Sequence, residues 1–547
     1  MPPSRVLSFL VLSLGLVCAA LLVWLWHRSL PADSAGTRPA GASVGASPRE
    51  TTPPTQPAPA DTAQATDSLE RLARALRAGG VRAREAVLTF KDDAALQRFL
   101  LRARQSGLTL VDRLDRLRTV RVRFDSLDGL RREMLGHGAD YAAVEANPLI
   151  GIPSPPARED RATVTHVPFG NETLAAVGAT GDRSGWGRGL TIAILDTGIA
   201  ADATFGPGRV RTLDIGHGTT PGTGEADGHG TAVAALAAGA AADAPGVAPA
   251  AGLLSIRVTD ASGLSDLFTV SRAILAAVDS GAQIINISLG GYATGPVLDA
   301  AIDYAGRNGA LIVAAAGNDQ AAQLAWPAAD PRVVSVGAVD RLEQQVSFSN
   351  SGAQLQLTAP GYGVQTAWLD NQRVQVNGTS ASAPVVAGAI AAVMSQLPGL
   401  SAPQAADLLA RTANDGGVPG TDPAYGHGIL NLATALNRNN ATYVDTAVSS
   451  LAYDAAAGQM QIVVQNRSGR AITGLSLSIT TGGATQTQVV PSLTPGETHV
   501  ARVPVSETAL QTAGRLTVAT RLTNPAGAVD QVPANNTRAS VLTAPKP

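Results

Sequence analysis

Four stretches of this 547-residue chain carry side chains that could together activate a hydroxyl. The first is Leu190-Thr191-Ile192-Ala193-Ile194-Leu195-Asp196-Thr197-Gly198, an apolar and β-branched run that stops at a carboxylate. It reads as a buried parallel strand, and ligands of open α/β sheets bind just beyond the carboxyl ends of such strands. The second is Asp227-Gly228-His229-Gly230-Thr231, followed by Ala232-Val233-Ala234-Ala235-Leu236-Ala237-Ala238. It places a histidine at the entry of a helix whose small side chains let it lie close to a sheet. The third is Asn377-Gly378-Thr379-Ser380-Ala381-Ser382-Ala383-Pro384, which puts Ser380 at a helix N-terminus, where unpaired N–H groups favour a developing negative charge. The fourth, Leu311-Ile312-Val313-Ala314-Ala315-Ala316-Gly317-Asn318, ends a strand at an amide that can donate to the same charge.

Each piece alone has a plainer explanation: a turn or helix cap for Asp196, a structural histidine for His229, an N-cap for Ser380, a turn for Asn318. His217, in Gly216-His217-Gly218-Thr219, is a decoy, because Pro221 and Gly222 follow it where a helix should begin. Taken together they supply a nucleophile, a base, an orienting carboxylate and an oxyanion donor. A serine hydroxyl needs an imidazole to take its proton, and the imidazole needs a carboxylate to fix its tautomer. The blocks Leu195–Gly198, Gly228–Thr231 and Gly378–Pro384, in the order Asp, His, Ser, resemble the signature blocks of the subtilase family. The resemblance spans about 165–440 and includes Tyr425-Gly426-His427-Gly428-Ile429-Leu430-Asn431. Ala381 departs from it, since the family usually has Met after the serine. The related sedolisins lack the histidine and carry Asp at the oxyanion position, so His229 and Asn318 speak against them.

The resemblance implies an Asp196/His229/Ser380 triad with Asn318 and the Ser380 N–H as oxyanion hole. It implies that Ser288, Leu289 and Gly290 pair with the substrate backbone and wall one side of the S1 pocket, with Ala315, Ala316 and Gly317 opposite. Small apolar walls, without the acidic cluster of the Arg-directed kexin branch, imply broad specificity with apolar P1 residues. No cofactor is required. Calcium stabilises many subtilases, but no loop shows an acidic ligand spacing that supports it.

The elements around this chemistry divide the chain. Residues 67–150 are Arg-rich and read as strand Glu85–Lys91, helix Asp92–Gln105, strands Leu108–Leu110 and Val120–Phe124, helix Ser126–Leu135 and strand Ala142–Glu145. That βαββαβ order is a ferredoxin-like unit. Ahead of a subtilase domain it resembles the propeptide, a folding chaperone and intramolecular inhibitor, with Tyr141–Pro148 similar to its last strand and processing expected within 149–165. Residues 445–547 carry short strands (Gln461–Gln465, Leu475–Thr480, Thr485–Val490, Thr498–Val505, Arg515–Arg521, Arg538–Leu542) between Gly, Pro and Asn turns, as a β-sandwich does. Asn535-Asn536 before the last strand is similar to the ending of CARDB-type modules. The expected fold is therefore α/β: a subtilisin-like, parallel-sheet, three-layer catalytic domain (165–440), an N-terminal ferredoxin-like α+β propeptide (67–150) and a C-terminal β-sandwich.

Residues 6–26 form an uncharged apolar run ending at Trp24 and Trp26, about 30 Å long as a helix and so able to cross a bilayer. Residues 1–28 therefore read as a signal-anchor or signal peptide, and 29–66, rich in Pro, Ala, Ser and Thr, as a disordered tether. This places the catalytic domain outside the cytoplasm, membrane-anchored or secreted after processing. A single cysteine, Cys18, excludes intrachain disulfides, and a net charge of −2 argues against a nucleic-acid partner. Polypeptide substrates, the chain's own propeptide and the membrane are the expected partners. Two other functions fit the same residues: a catalytically silent, surface-tethered binding protein, and a maturation protease dedicated to one partner.

Overall fold

The protein is described by a computed structural model over residues 59–153, 166–224 and 226–543. Residues 6–26, and the tether up to residue 58, lie outside the described residues. Among those described, no helix is long and apolar enough to cross a membrane.

The central element is a seven-stranded sheet in the order Leu357–Pro360, Val334–Val339, Leu311–Ala315, Ile284–Ile287, Thr191–Asp196, Gly252–Arg257, Val210–Leu213. Every neighbouring pair is parallel. Its strands are apolar on both sides because both faces are covered. Ile192 and Ile194 enter the core shared with helices His229–Ala238 and Thr379–Gln396. Ala193 and Leu195, one residue out of phase, enter the core shared with helices Leu267–Asp279 and Pro296–Arg307. The two inner helices consist mostly of Ala, Gly, Ser and Val and are almost wholly buried. On the outer side, helix Ala402–Arg411 has one apolar face and begins with a full capping box at Ser401.

N-terminal to this domain, strands Leu108–Leu114, Thr119–Phe124, Glu85–Phe90 and Tyr141–Glu145 form an antiparallel sheet in that spatial order. Helices Asp93–Arg102 and Leu127–His137 connect them. A further helix, Pro59–Ala78, begins inside the stretch that composition reads as a tether, so the tether extends less far than 66. Its Ala65 and Leu72 are buried in this domain's core, with Leu69 and Leu76 packed against it. The Pro and Thr content upstream obscures a helical apolar spacing that starts at Ala65.

The C-terminal region pairs a three-stranded sheet (Thr446–Asp454, Gln459–Asn466, Thr498–Pro504) with a four-stranded one (Ala484–Val489, Ser476–Thr481, Arg515–Thr523, Thr537–Thr543). All its pairs are antiparallel and enclose one apolar core. Strand Thr446–Asp454 and the short helix Glu507–Ala513 have no counterpart in the sequence expectation.

Candidate active site

Strand Thr191–Asp196 ends beside the strand pair that flanks it on either side, and its last carboxylate is fully buried. Thr197 turns the chain: its N–H donates to Asp196 Oδ1 at 2.8 Å and its hydroxyl donates to the carbonyl of Asp227 at 3.0 Å. The same hydroxyl accepts the N–H of Gly230 at 2.9 Å, which ties the strand end to the first turn of helix His229–Ala238. A side chain on Gly230 would run into the carbonyl of Gly198, so glycine lets helix and strand approach this closely. The result is a short, fixed link: His229 Nδ1 lies 2.8 and 3.0 Å from the two oxygens of Asp196. With Nδ1–H donating to the carboxylate, Nε2 is left as the basic nitrogen.

Ser380 sits in the first turn of helix Thr379–Gln396 and is 9% exposed. Its N–H has no partner one turn earlier in the helix. Its carbonyl accepts the Ser288 hydroxyl at 3.1 Å, so the strand Ile284–Ile287 and the nucleophile helix are joined at the site. Asn318 follows strand Leu311–Ala315. Its Oδ1 accepts both the N–H and the hydroxyl of Thr379, each at 2.9 Å, which turns its Nδ2 the other way. Gly378 shows where that nitrogen goes. A Cβ on Gly378, whose φ is +146°, would stand 2.9 Å from Ser380 Oγ and 3.0 Å from Asn318 Nδ2. Nucleophile and amide donor thus border one small space, and only glycine keeps it open.

The structure brings Asp196 and His229 into direct contact and sets Asn318 beside Ser380. It places His217 elsewhere: burial pushes this imidazole below its ordinary range, and the charges around it are Asp266, Arg121, Arg82 and Arg257. Ser288 and Leu289 are fully buried, as are Ala315 and Ala316, and Ala325 N–H donates to the Ala316 carbonyl at 2.9 Å.

The groove beside the site is filled by the chain itself. Strand Leu149–Gly151 pairs antiparallel with Leu264–Asp266 on one side. On the other, Gly151 and Gly290 exchange hydrogen bonds of 3.2 and 3.0 Å. Ile152 N–H then donates to the Gly263 carbonyl at 3.1 Å. Ile150 is 1% exposed and joins the core of the large domain. Sequence reasoning found the Ser288–Gly290 edge but missed the facing edge at Gly263–Asp266, a short segment with no strand pattern of its own. It also missed Thr379 and Thr197 as the side chains that orient Asn318 and tie down His229. Those two were visible only as part of the motifs.

Residues 187–428 match the subtilase family, Peptidase_S8. The chain is 36% identical over 282 residues to subtilisin DY from Bacillus licheniformis, a match covering 49% of this chain and 98% of the relative. It is 33% identical over 309 residues to an alkaline protease from Shouchella clausii, covering 54% of this chain and 76% of that one. Among solved structures it resembles fervidolysin from Fervidobacterium pennivorans, a keratinolytic enzyme related to subtilisin. There the TM-score is 0.55 at 20% identity, over 85% of this chain and 77% of fervidolysin, a likeness of fold. With the parallel sheet and the Asp–His contact already in place, these matches settle the family: the chain belongs to the subtilases and is a subtilisin-like serine endopeptidase.

Proposed function

We propose that Asp196, His229 and Ser380 hydrolyse peptide bonds through an acyl-enzyme. Asp196 holds the Nδ1–H of His229. Nε2 takes the Ser380 proton as Oγ attacks the scissile carbonyl. The oxyanion forms between the Ser380 N–H and Asn318 Nδ2. His229 then hands its proton to the leaving amine, and a water molecule, deprotonated by the same imidazole, releases the acyl group. The observation that carries this reading is the fixed Asp196–His229 contact, with Asn318 and Ser380 bordering the space around Gly378. The small walls Ser288–Gly290 and Ala315–Gly317 favour broad cleavage after apolar residues.

The N-terminal domain acts in this reading as an intramolecular inhibitor, with Leu149–Ile152 lying where a substrate strand would lie. Antiparallel pairing of Gly151 with Gly290 sets residue 153 opposite Ser288, whose hydroxyl bonds the Ser380 carbonyl. The first processing bond to test is therefore Pro153–Ser154, within the expected 149–165. The apolar segment 6–26 supports a location outside the cytoplasm, with maturation releasing the enzyme from that segment. Fluorophosphonate labelling of the purified chain, with Ser380→Ala as control and N-terminal sequencing of the labelled band, tests all of this. Labelling lost in the variant, on a band beginning within 154–165, supports the reading. A processed band that does not label supports a silent binding protein instead. Turnover of casein separates a general peptidase from one dedicated to a single partner.

A further inference from the structure

The loop after helix Ala402–Arg411 runs Asp415-Gly416-Gly417-Val418-Pro419-Gly420-Thr421-Asp422, and nothing in the peptidase chemistry uses it. Asp415 is 7% exposed. Its Oδ2 accepts the Gly420 N–H at 3.0 Å, while its Oδ1 is enclosed and has no hydrogen-bond partner. Asp422 repeats the pattern. Its Oδ1 accepts the N–H groups of Ala424 and Tyr425 at 2.7 and 2.9 Å, and its Oδ2 is enclosed without a partner. Both carboxylates border the same turn: a Cβ on Gly417 would stand 2.9 Å from Asp422 Oδ2, and the Gly420 N–H holds Asp415 through its Oδ2.

Two enclosed carboxylate oxygens without hydrogen-bond partners are costly unless a positive charge meets them. Arg467 acts on Asp415 through its charge but gives it no hydrogen bond: its guanidinium donates to Gln465 Oε1 at 3.1 Å and to Ser449 Oγ at 2.8 Å. Among the described residues no third acidic or histidine side chain converges here. The remaining oxygens at hand are loop carbonyls, and those of Gly416 to Gly420 accept no backbone hydrogen bond among the described residues. Few carboxylates, backbone carbonyls and a glycine-rich, adaptable turn are the donor chemistry of Ca²⁺ rather than of Mg²⁺, which demands a stricter octahedron.

We propose that the loop 415–422 binds Ca²⁺ through Asp415 Oδ1 and Asp422 Oδ2, with loop carbonyls and water completing the shell. The ion would also brace the joint to the C-terminal sandwich. Ser449 Oγ donates to the Asp415 carbonyl at 2.8 Å, and the Asp415 N–H donates to Gln465 Oε1 at 3.3 Å.

The test uses the full chain carrying Ser380→Ala, so that self-digestion does not obscure stability. Tb³⁺ is the probe, since it takes Ca²⁺ sites and emits when a nearby aromatic ring is excited. The Tyr425 ring lies 2.6 Å from a Cβ built on Gly416. Expected are aromatic-sensitised Tb³⁺ emission that Ca²⁺ displaces, and a Ca²⁺-dependent rise in Tm of about 3–6 °C. Asp415→Asn with Asp422→Asn abolishes both, and Tyr425→Phe dims the emission while keeping the Tm increment. Emission and increment that survive the double substitution overturn the proposal. So does an absent Ca²⁺ increment with unchanged stability of the double variant, which would mean that the two oxygens share a proton. If the double variant does not fold, undiminished emission from Tyr425→Phe overturns it.

Discussion

The catalytic domain meets its two neighbours in different ways. Towards the N-terminal domain the contact is a belt of ion pairs around a strand lying in a groove. Arg82 reaches Asp266 at 3.0 Å and Asp260 at 3.5 Å, Arg121 reaches Asp266 at 3.5 Å, Arg116 reaches Asp279 at 3.1 Å, and Arg272 pairs with Asp112. Towards the C-terminal sandwich one ion pair, Arg538 with Glu343, stands beside a small set of buried neutral hydrogen bonds. Ser449 and Gln465 are 0% and 4% exposed, and Gln465 Nε2 donates to the Ala413 carbonyl at 3.0 Å. Charged pairs can be rehydrated once the partners separate, and backbone pairing along Leu149–Ile152 can be replaced by a substrate strand. Buried amide and hydroxyl bonds gain nothing from separation. The first interface suits a part that leaves and the second a part that stays.

The largest expected effect tests whether the first interface is opened by the enzyme itself. Ser380→Ala should lower kcat about 10⁴–10⁶-fold, a magnitude carried over from subtilisin rather than derived from this geometry. It should also leave the N-terminal domain joined in one chain, seen as a single band whose sequence still includes Glu85–Glu145. Efficient processing of the variant would assign the cut to another protease. Asn318→Ala should cost about 10²–10³-fold in kcat, a range likewise known from subtilisin, and slow self-processing in proportion, with a small fall in Tm from the Thr379 donors it leaves unpaired. A change in KM alone would remove Asn318 from the oxyanion hole.

Next comes the belt. Asp266 is 1% exposed and serves two arginines of the N-terminal domain, and the neighbouring positive charges hold its carboxyl below the usual range against the cost of burial. It also caps helix Leu267–Asp279 through the Thr269 N–H at 2.9 Å. Asp266→Asn keeps a capping oxygen but removes the charge. The lag before activity appears in the cleaved, still-associated enzyme should shorten about 10–100-fold, since a broken, enclosed pair costs on the order of 1–3 kcal/mol. Tm of the mature enzyme should move by less than about 1 kcal/mol in free-energy terms. An unchanged lag would mean that the groove strand alone holds the domain.

The same interface predicts a pH dependence. Glu145 accepts the Val297 N–H at 3.2 Å at the start of helix Pro296–Arg307, and burial pushes its carboxyl up to about 8. Released into water it returns to about 4.3. A pKa raised in the complex means that association binds a proton. The linked stabilisation is complete below about pH 4.3, falls as pH rises and is gone above about pH 8. Release should therefore quicken from neutral to mildly alkaline pH, and Glu145→Gln should flatten that dependence. A release rate that is flat across this range in the parent enzyme removes Glu145 as its source.

How much of this was legible in the sequence follows from where each signal lies. Asp196, His229, Ser380 and Asn318 each stand at the junction of an apolar strand or small-residue helix with a polar turn, and such junctions are local. The parallel sheet was legible for the same reason: strands such as Ile192–Leu195 are apolar on both faces. The groove edge at Leu264–Asp266 was not, because its three residues are ordinary until a strand lies against them. Helix Pro59–Ala78 was hidden because Pro, Ala and Thr dominate its first turns, while Ala65 and Leu72 become informative only when packed. The bare oxygens of Asp415 and Asp422 depend on which donors fold back onto each carboxylate, and a D-x₆-D spacing in a glycine-rich loop does not encode that.

The smallest effect concerns the interface that stays. Gln465 accepts the Asp415 N–H and the Arg467 guanidinium and donates to the Ala413 carbonyl, so one side chain links both domains. Gln465→Ala removes these bonds and leaves Arg467, itself 4% exposed, with the Ser449 hydroxyl. The expected loss is about 1–3 kcal/mol of stability, read as a lower Tm of the mature enzyme, with kcat/KM unchanged, since none of these bonds involves Asp196, His229, Ser380 or Asn318. Ser449→Ala should cost about 1 kcal/mol, for the single hydroxyl bond to the Asp415 carbonyl and its acceptance of Arg467. The comparison breaks if Gln465→Ala releases the sandwich as a separately melting unit while catalysis continues, because the second interface would then come apart as readily as the first.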